Sequence, residues 1–224
     1  NMEVAMLKKT LFVTAVLFCF VSVSLAADLM PVKLPAPDTK GGKPLMKCLN
    51  DRKSDRSFST KKLPVQILAN LLWAACGINR PQSGNRTAPS AHNWQEIDVY
   101  VALEEGLYLY NPKTHTLEPV VKSDLRKHTA RLPQPSRSSV VGAPLQLIYV
   151  SDYAKMRSGL GDEDRKFYSA TDTAFIGQNV YLYCASEGLY SIIRSFFDSS
   201  SLTREMKLKD TQKIILVQAV GYPQ

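Results

Sequence analysis

Hydrophobic residues recur at every third or fourth position along two stretches of the chain. The first begins at Leu63, has Pro64 in its first turn and ends at Gly77, and it predicts a helix with one buried face. The second covers residues 162–194 and begins with an acidic turn that suits the helix dipole. Because it is apolar on nearly every side, we expect a buried helix, and a second subunit could supply part of the cover.

Shorter apolar runs predict strands. Residues 97–103 and 107–110 are joined by a Glu-Glu-Gly turn, and residues 111–121 predict a second turn followed by a short strand. Strands joined by such hairpins are antiparallel. Continuous apolar runs at 144–150 and 213–220 are typical of covered strands, and we expect the first to be central. Together these elements predict an α+β fold, with a mostly antiparallel sheet flanked by helices.

The N-terminal residues predict export followed by a linker. A basic start, an apolar run over residues 11–21 and a small-x-small site ending at Ala26 are typical of a bacterial signal peptide, residues 1–26. The run is shorter than the roughly 20 apolar residues that span a bilayer. We therefore expect cleavage and an exported, periplasmic protein without a stable membrane span, with an uncleaved anchor as the alternative. Residues 27–47 predict an extended arm or linker.

Length and charge bound the rest of the chain. Cleavage would leave 198 residues and would lower the net charge from +8 to +7, because Lys8, Lys9 and Glu3 are removed. That length and the 45% hydrophobic content suffice for one domain with a core. A positive charge suits an anionic ligand and equally suits solubility. We expect a small-molecule ligand and no nucleic acid.

Several chemistries lack the residues that they require. Cys48, Cys76 and Cys184 remain after cleavage without metal-ligand or redox spacing, so we interpret Cys76 and Cys184 as small buried hydrophobes and leave a disulfide open. The three histidines have no neighbouring acidic or cysteine partners, which disfavours a metal enzyme. No serine nucleophile motif and no complete dinucleotide or phosphate-loop fingerprint is present. We therefore expect neither a catalytic side chain nor a metal site.

One charged segment suits an anionic ligand. Arg52, Lys53 and Arg56 surround Ser54 ahead of the first long apolar helix, so the segment is expected near the start of that helix. Like charges repel, so these cations either lie along a solvated face or hold an anion. Guanidinium groups and a hydroxyl would suit a phosphate. The pattern alone leaves both interpretations open.

A second segment lies in a predicted loop, residues 80–95, that runs into the strand beginning at Ile97. It would present a compact surface with amide-like edges, suited to a flat heteroaromatic ring, formed by Pro89, Ser90, Ala91, Asn93 and Gln95. An ordinary polar loop is the alternative. This segment alone does not decide between them.

Two further segments complete a family pattern. They are GQNVYLYCASEGLYSIIRSFFD at residues 177–198 and IILVQAVGYP at residues 214–223. With the basic segment and the polar loop, in this order and spacing, they resemble the nitroreductase family of flavin enzymes across residues 48–223. The resemblance implies a nitroreductase-like, homodimeric flavin domain over residues 48–224 that binds FMN.

The resemblance also implies roles for the matching residues. The phosphate and ribityl chain of FMN would be held by Arg52, Lys53, Ser54 and Arg56. The isoalloxazine ring would be packed, from the other subunit, by Pro89, Ser90, Ala91 and Asn93, with Gln95 nearby. The hydride-accepting ring nitrogen would lie beside Glu187 and Gly188, which Leu189 follows.

Two features separate this chain from many relatives. The Arg-Thr-Ala-Pro-Ser-Ala phrase resembles the azoline-dehydrogenase-like branch, in which Arg86 would stabilise negative charge on the reduced ring, with a surface arginine as the alternative. Many relatives also continue past the Gly-Tyr-Pro strand and add a basic residue to the phosphate site. In this chain Arg194, Lys207 or Lys209 would substitute, or FMN would bind less tightly.

The function implied by the resemblance is that of an FMN-dependent oxidoreductase. Reduced nicotinamide, NADH or NADPH, would pass hydride to the flavin, and a nitroaromatic, quinone or similar acceptor would then replace it. Two alternatives stay open. One is an exported flavin dehydrogenase or flavin-modifying enzyme that does not use nicotinamide, and the other is a flavin-free binding module.

Overall fold

A seven-stranded antiparallel sheet lies at the centre of the fold. The computed structural model describes residues 28–131 and 140–224, so the signal peptide predicted over residues 1–26 lies outside the described residues. In chain order the strands are β1 (Val32–Lys33), β2 (Ile78–Arg80), β3 (Asn85–Arg86), β4 (Ile97–Ala102), β5 (Leu107–Asn111), β6 (Thr116–Val121), β7 (Leu145–Asp152), β8 (Tyr190–Arg194) and β9 (Gln212–Gly221). The helices are α1 (Leu45–Asp51), α2 (Val65–Cys76), α3 (Asp162–Glu187) and α4 (Ser199–Glu205).

The strand order places the strand with the longest buried run in the interior of the sheet. From edge to edge the order is β1, β6, β5, β4, β7, β9 and β8, with every neighbouring pair antiparallel. Strand β7 pairs with β4 and β9 and is buried from Leu145 to Ser151. The predicted α+β fold and the predicted central strand are therefore confirmed. Strands β2 and β3 form a separate ribbon, so residues 80–95 are not loop throughout.

Helices cover both faces of this sheet. On one face Leu72 of α2 and Val180 of α3 share a core with Tyr149 of β7. On the other face Leu202 of α4 packs in a second core with Val150. Tyr149 and Val150 are neighbours in sequence and point to opposite faces, as successive strand residues do. Burial on both sides explains why β7 is apolar without alternation.

The two long helices begin where the sequence predicts, but one ends earlier. Helix α2 follows Pro64 and ends before Gly77, which confirms that prediction. Helix α3 ends at Glu187, so the helical prediction for residues 188–194 is wrong. Gly188 adopts a left-handed conformation with φ 70°, which ends the helix. The β-branched residues that follow then pair with β9 as strand β8.

The structure contains a short helix that the apolar pattern does not predict. Helix α1 ends at Asp51, and the Arg52 N–H closes its last turn on the Cys48 carbonyl at 2.9 Å. The basic segment therefore follows a helix, and its expected position near the start of the first long helix is wrong, because α2 begins only at Val65. Of the seven residues of α1, Cys48 alone is buried, so no apolar stripe marks the helix in the sequence.

The stretch before α1 lies against the domain. Strand β1 extends the sheet by pairing with β6, and the N–H of the buried Leu34 donates to the His115 carbonyl at 3.1 Å. Further along, the Asp38 N–H donates to Asn70 Oδ1 of α2 at 2.9 Å. The division of the chain into signal peptide, arm and flavin domain stays a prediction.

The described part of the chain contains no disulfide and no cluster of side chains that could bind a metal ion. Cys48, Cys76 and Cys184 are free and buried, which confirms the interpretation of the last two as small hydrophobes. Burial raises the pKa of the Cys76 thiol to about 11, as in an inert cysteine. Across residues 28–131 and 140–224 no three His, Cys, Asp or Glu side chains are grouped to hold a metal ion. The same residues include no helix with the length and apolar character needed to cross a membrane.

Candidate functional site

The basic segment lies along the edge strand β8. The Asp55 N–H donates to the Ser191 carbonyl at 3.1 Å, and the Ser54 hydroxyl lies 2.9 Å from the Tyr181 hydroxyl of α3. The Arg52 guanidinium stands over the Tyr181 ring, 5.4 Å from its centroid. The segment is therefore fixed against both β8 and the C-terminal part of α3.

Tyr181 joins three elements through one hydroxyl group. Besides contacting Ser54, this hydroxyl accepts a hydrogen bond from the Ile193 N–H of β8 at 2.9 Å. A buried N–H group without an acceptor is costly, so this bond fixes the distance between α3 and β8. The position of Ser54 follows from the same contact.

A cavity of about 160 Å³ lies between the segment and the end of α3. Lys53, Gly188 and Leu189 line it, so three of the predicted residues meet there. A side chain at Gly188 would have no atom within 4 Å of its Cβ, so the turn leaves space that a flat ring could occupy. The N–H groups of Gly188 and Leu189 both donate to the Cys184 carbonyl. These two residues would therefore contact a ring by packing and not as hydrogen-bond donors.

The other predicted residues of this region are sequence neighbours of residues that line the cavity, but do not line it themselves. Arg52 and Ser54 are held at Tyr181. Glu187 is exposed in the last turn of α3, where it accepts a hydrogen bond from the Ser186 hydroxyl at 3.0 Å. The side chain of Arg56 is exposed. The structure thus brings the basic segment and the end of α3 together.

Lys43 also lines the cavity, and the sequence did not indicate it. Its Nζ donates to the Ala185 carbonyl at 3.0 Å, and its backbone N–H donates to Ser186 Oγ at 2.9 Å. It belongs to the predicted arm, in which no local pattern indicates a site. Arg194, which we considered as a substitute phosphate ligand, instead donates to Gln146 Oε1 at 2.8 Å.

Carboxylates share the cavity with the cations. Asp51 and Asp55 both line it, and Lys53 Nζ lies 3.5 Å from Asp55 Oδ1. A hydrogen bond from Lys47 lowers the pKa of Asp51, so that carboxylate is ionised at neutral pH. The lysine charges inside the cavity are therefore offset. A bound phosphate would depend on the two guanidinium groups of the basic segment for its excess positive charge.

The second predicted segment forms a strained loop. His92, Asn93 and Gln95 have φ values of 51°, 56° and 51°. Non-glycine residues adopt this left-handed region at a cost of about 1–3 kcal/mol each, and do so where surrounding contacts determine the conformation. Such clusters of strain occur preferentially at functional sites.

Hydrogen bonds determine the conformation of this loop. Gln95 donates its backbone N–H to Ser90 Oγ at 2.8 Å and its side-chain amide to Asn93 Oδ1 at 2.9 Å. The Ala91 N–H donates to Asp172 Oδ2 of α3 at 2.8 Å. The loop is therefore closed internally and attached to α3.

The predicted loop residues are Pro89, Ser90, Ala91, Asn93 and Gln95. They lie together but far from the basic segment. The loop is attached to α3 at Asp172, the basic segment at Tyr181, and the other predicted ring contacts begin at Glu187. At 1.5 Å per residue, these points lie roughly 14 and 22 Å from Asp172 along α3. Within one chain the two halves of the predicted site do not meet.

Arg86 points inward beneath the loop. Its Nη1 donates to the Ile97 carbonyl at 3.4 Å, and its Nε is buried, with no hydrogen-bond partner among the residues that the structure describes. The Arg86 side chain is therefore only partly exposed. Its role beside a reduced ring stays a prediction.

A family comparison decides which class of protein carries this site. The model of the nitroreductase family matches residues 49–222. The chain belongs to the nitroreductase family. As a member of the nitroreductase family it is an oxidoreductase of a typically flavin-binding kind, which confirms the resemblance and the enzymatic prediction.

Individual relatives of this nitroreductase-family protein agree. It is 27% identical over 195 residues to a provisionally named nitroreductase of Methanocaldococcus jannaschii, covering 84% of this chain and 96% of that one. A crystal structure of another provisionally named nitroreductase, from Ralstonia eutropha, is 38% identical with a TM-score of 0.78, over 87% of this chain and 90% of that one. The Escherichia coli microcin synthetase complex, at 18% identity and a TM-score of 0.65 over 89% of this chain and 79% of that one, shows the fold alone.

We predict that Tyr181→Phe destabilises the protein by about 1–3 kcal/mol, because the Ile193 N–H loses its acceptor. Urea unfolding measures the change. Tyr190→Phe is the matched control, since the Tyr190 ring contacts Lys53 through its face, and that face is kept. Equal stabilities for the two variants would show that the Tyr181 hydroxyl does not fix this junction.

Proposed function

We propose that this nitroreductase-family protein is a homodimeric FMN enzyme that takes hydride from NADH or NADPH and passes it to a nitroaromatic, quinone or similar acceptor. One observation carries the proposal. The basic segment of Arg52 to Arg56 and the glycine turn after α3 meet at one cavity, although they lie far apart in sequence. Cations beside an open cavity suit a ligand with a phosphate at one end and a ring at the other.

The chain's own residues would divide the work of binding. Arg52 and Arg56 would hold the phosphate with Lys53, and Ser54 would donate to the ribityl chain or the phosphate. Gly188 would let the ring approach the backbone, and Leu189 would pack against it. Bound FMN would supply the redox chemistry, accepting and releasing hydride. The protein would supply orientation and charge.

A second copy of the chain would complete the site. The loop that carries Asn93 cannot reach the cavity of its own chain, because α3 holds the two apart. In the single chain α3 is not buried on every side, since Phe167 and Phe175 are 65% and 42% exposed. On α1, Leu45 and Met46 are 62% and 75% exposed. Exposed apolar faces of this kind mark protein interfaces, and a twofold dimer would cover them.

We predict that Arg52→Ala with Arg56→Ala weakens FMN binding at least about hundredfold, because each charge-assisted contact contributes roughly 1.5–3 kcal/mol. Flavin released from the purified protein, and titration of the stripped protein with FMN, measure the loss. Arg157→Ala with Arg204→Ala removes the same charge from exposed positions outside the cavity and is the matched control. Undiminished FMN occupancy in the first variant would exclude the basic segment as the phosphate site.

We predict that two defective subunits complement each other in a mixed dimer. One subunit carries Arg52→Ala with Arg56→Ala. The other carries Pro89→Glu, which puts a charge on the exposed start of the loop. If each site is shared, one site of the mixed dimer keeps both intact halves, so half of the sites bind FMN. If each site lies within one chain, every chain is defective and the mixed dimer binds none.

A second candidate function concerns the electron donor. The phrase that begins at Arg86 and the predicted signal peptide favour an exported flavin dehydrogenase or flavin-modifying enzyme that does not use nicotinamide. We infer periplasmic export from that signal, and the mass of the mature protein recovered from the periplasm would test cleavage after Ala26. Family membership favours either enzyme over a flavin-free binding module.

We predict that NADH or NADPH bleaches the flavin absorption of the holoprotein in the absence of oxygen, and that a quinone or nitroaromatic restores it. The reason is that reduced nicotinamide would donate hydride to bound FMN, and the acceptor would then remove it. Oxidised NAD is the control and should leave the spectrum unchanged. A spectrum that no reduced nicotinamide alters would favour the second candidate, and a colourless protein that does not take up FMN would favour the binding module.

A further inference from the structure

Two carboxyl groups are buried beneath the strained loop of residues 90–95. Glu96, at 0% exposure, directly precedes β4, and Asp172, at 2%, lies on α3. Asp172 Oδ2 accepts the Ala91 N–H at 2.8 Å, and Glu96 Oε2 accepts the Ser90 hydroxyl at 3.3 Å. The two carboxyl groups line the same small cavity, and the Asp172 charge acts on Glu96 there. The pair therefore holds two consecutive loop residues from below.

Two further titratable groups, a cation and a thiol, line the same cavity as this pair. Arg86 from β3 and Cys76 from α2 line the same small cavity as Glu96 and Asp172. Burial keeps Cys76 protonated at neutral pH, because it raises the pKa of the thiol to about 11. The charge balance of the cluster thus depends on one guanidinium and two carboxyl groups.

One atom of this cluster lacks the donor that a carboxylate oxygen requires. Within residues 28–131 and 140–224, the buried Glu96 Oε1 has no hydrogen-bond partner. Two ionised carboxylates in contact repel each other and leave such an oxygen unsatisfied. A proton on Glu96 removes the repulsion and lets its carboxyl group donate to Asp172. The cluster then consists of one guanidinium, one carboxylate and one neutral acid, with no net charge.

We propose that Glu96 and Asp172 share a single proton, and that this proton holds the loop of residues 90–95 in its strained conformation. Glu96 and Asp172 are positioning residues, since they contact the loop and not the ligand. The inference rests on the proposed function only where it makes this loop the ring-facing surface of a neighbouring subunit. The shared proton itself is independent of flavin.

The proton makes the loop sensitive to pH. Burial, and then the neighbouring Asp172 charge, raise the pKa of Glu96 from 4.5 to about 7. The folded protein therefore keeps a proton that the unfolded chain releases above its ordinary pKa. The stabilisation is complete below pH 4.5, and it declines as the pH rises towards the folded pKa of about 7. Above that pH the pair carries two charges and the loop loses its support.

We predict that Glu96→Gln removes this pH dependence, because an amide can donate to Asp172 at every pH. Thermal unfolding of the full-length protein is followed between pH 5 and pH 8 for wild type, Glu96→Gln and the exposed-acid control Glu163→Gln. The control should follow the wild type. Relative to both, Glu96→Gln should gain stability as the pH rises, by up to about a hundredfold in the folding equilibrium. A difference that does not change with pH would overturn the shared proton.

An infrared measurement on the wild type tests directly whether a carboxyl group is protonated. A protonated carboxylic acid has its own carbonyl stretch, which we expect at pH 6 and expect to disappear as the pH passes 7. Asp172→Asn should remove this band, since its amide can donate to an ionised Glu96. Absence of a protonated acid from the wild type at pH 6 would overturn the proposal.

Flavin binding then separates this inference from the proposed function. If the loop faces the ring, the FMN affinity of the wild type should weaken above pH 7, and that of Glu96→Gln should not. A pH-independent affinity in the wild type would show that the proton does not position the ring-facing surface. If the protein binds no FMN at any pH, the proposed function fails, while the unfolding and infrared measurements still decide the shared proton.

Discussion

The packing of α3 across the sheet is the constraint on which the candidate site depends. This helix of 26 residues is attached to the loop through Asp172 and to the basic segment through Tyr181. Because a helix rises by a fixed distance per residue, the two attachment points cannot approach each other. In the proposed dimer, the division of the site between two chains would therefore follow from the rigidity of one helix and not from the mobility of a loop.

The core is stabilised by apolar burial, whereas the loop of residues 90–95 carries backbone strain. Strand β7 is buried from Leu145 to Ser151, with apolar residues facing helices on both sides, and its buried Gln146 is hydrogen-bonded to the Val140 carbonyl. The loop departs from this pattern, since His92, Asn93 and Gln95 have left-handed backbones above two buried acids. Natural proteins tolerate such departures chiefly at functional sites, where the surrounding core offsets the cost. The contrast supports the loop as a surface shaped for a ligand.

Elements that bury one face could be predicted from the sequence, because burial imposes a period on it. The apolar period predicts helix α2 in this way, whereas short apolar runs predict the strands β4, β7 and β9. The apolar pattern does not predict helix α1, because α1 has no apolar stripe. It wrongly extends α3 into β8, because the apolar spacing continues past Gly188, where a left-handed backbone ends the helix. The site residues came from motifs, but their assembly depends on contacts between distant positions. Lys43 meets Ala185 across 142 positions, and Ala91 meets Asp172 across 81, and no local pattern indicates either contact.

The basic segment has a second role at the edge of the sheet. Downstream of Asp55, which bonds to β8, Phe58 pairs with Pro223 and the Ser59 N–H donates to the Tyr222 carbonyl at 3.0 Å. An uncovered edge strand offers unpaired backbone groups to strands of other molecules, which is a common origin of aggregation. The segment that would bind a phosphate thus continues into residues that shield this border, so a ligand that anchors the segment would help to keep the protein dispersed in solution.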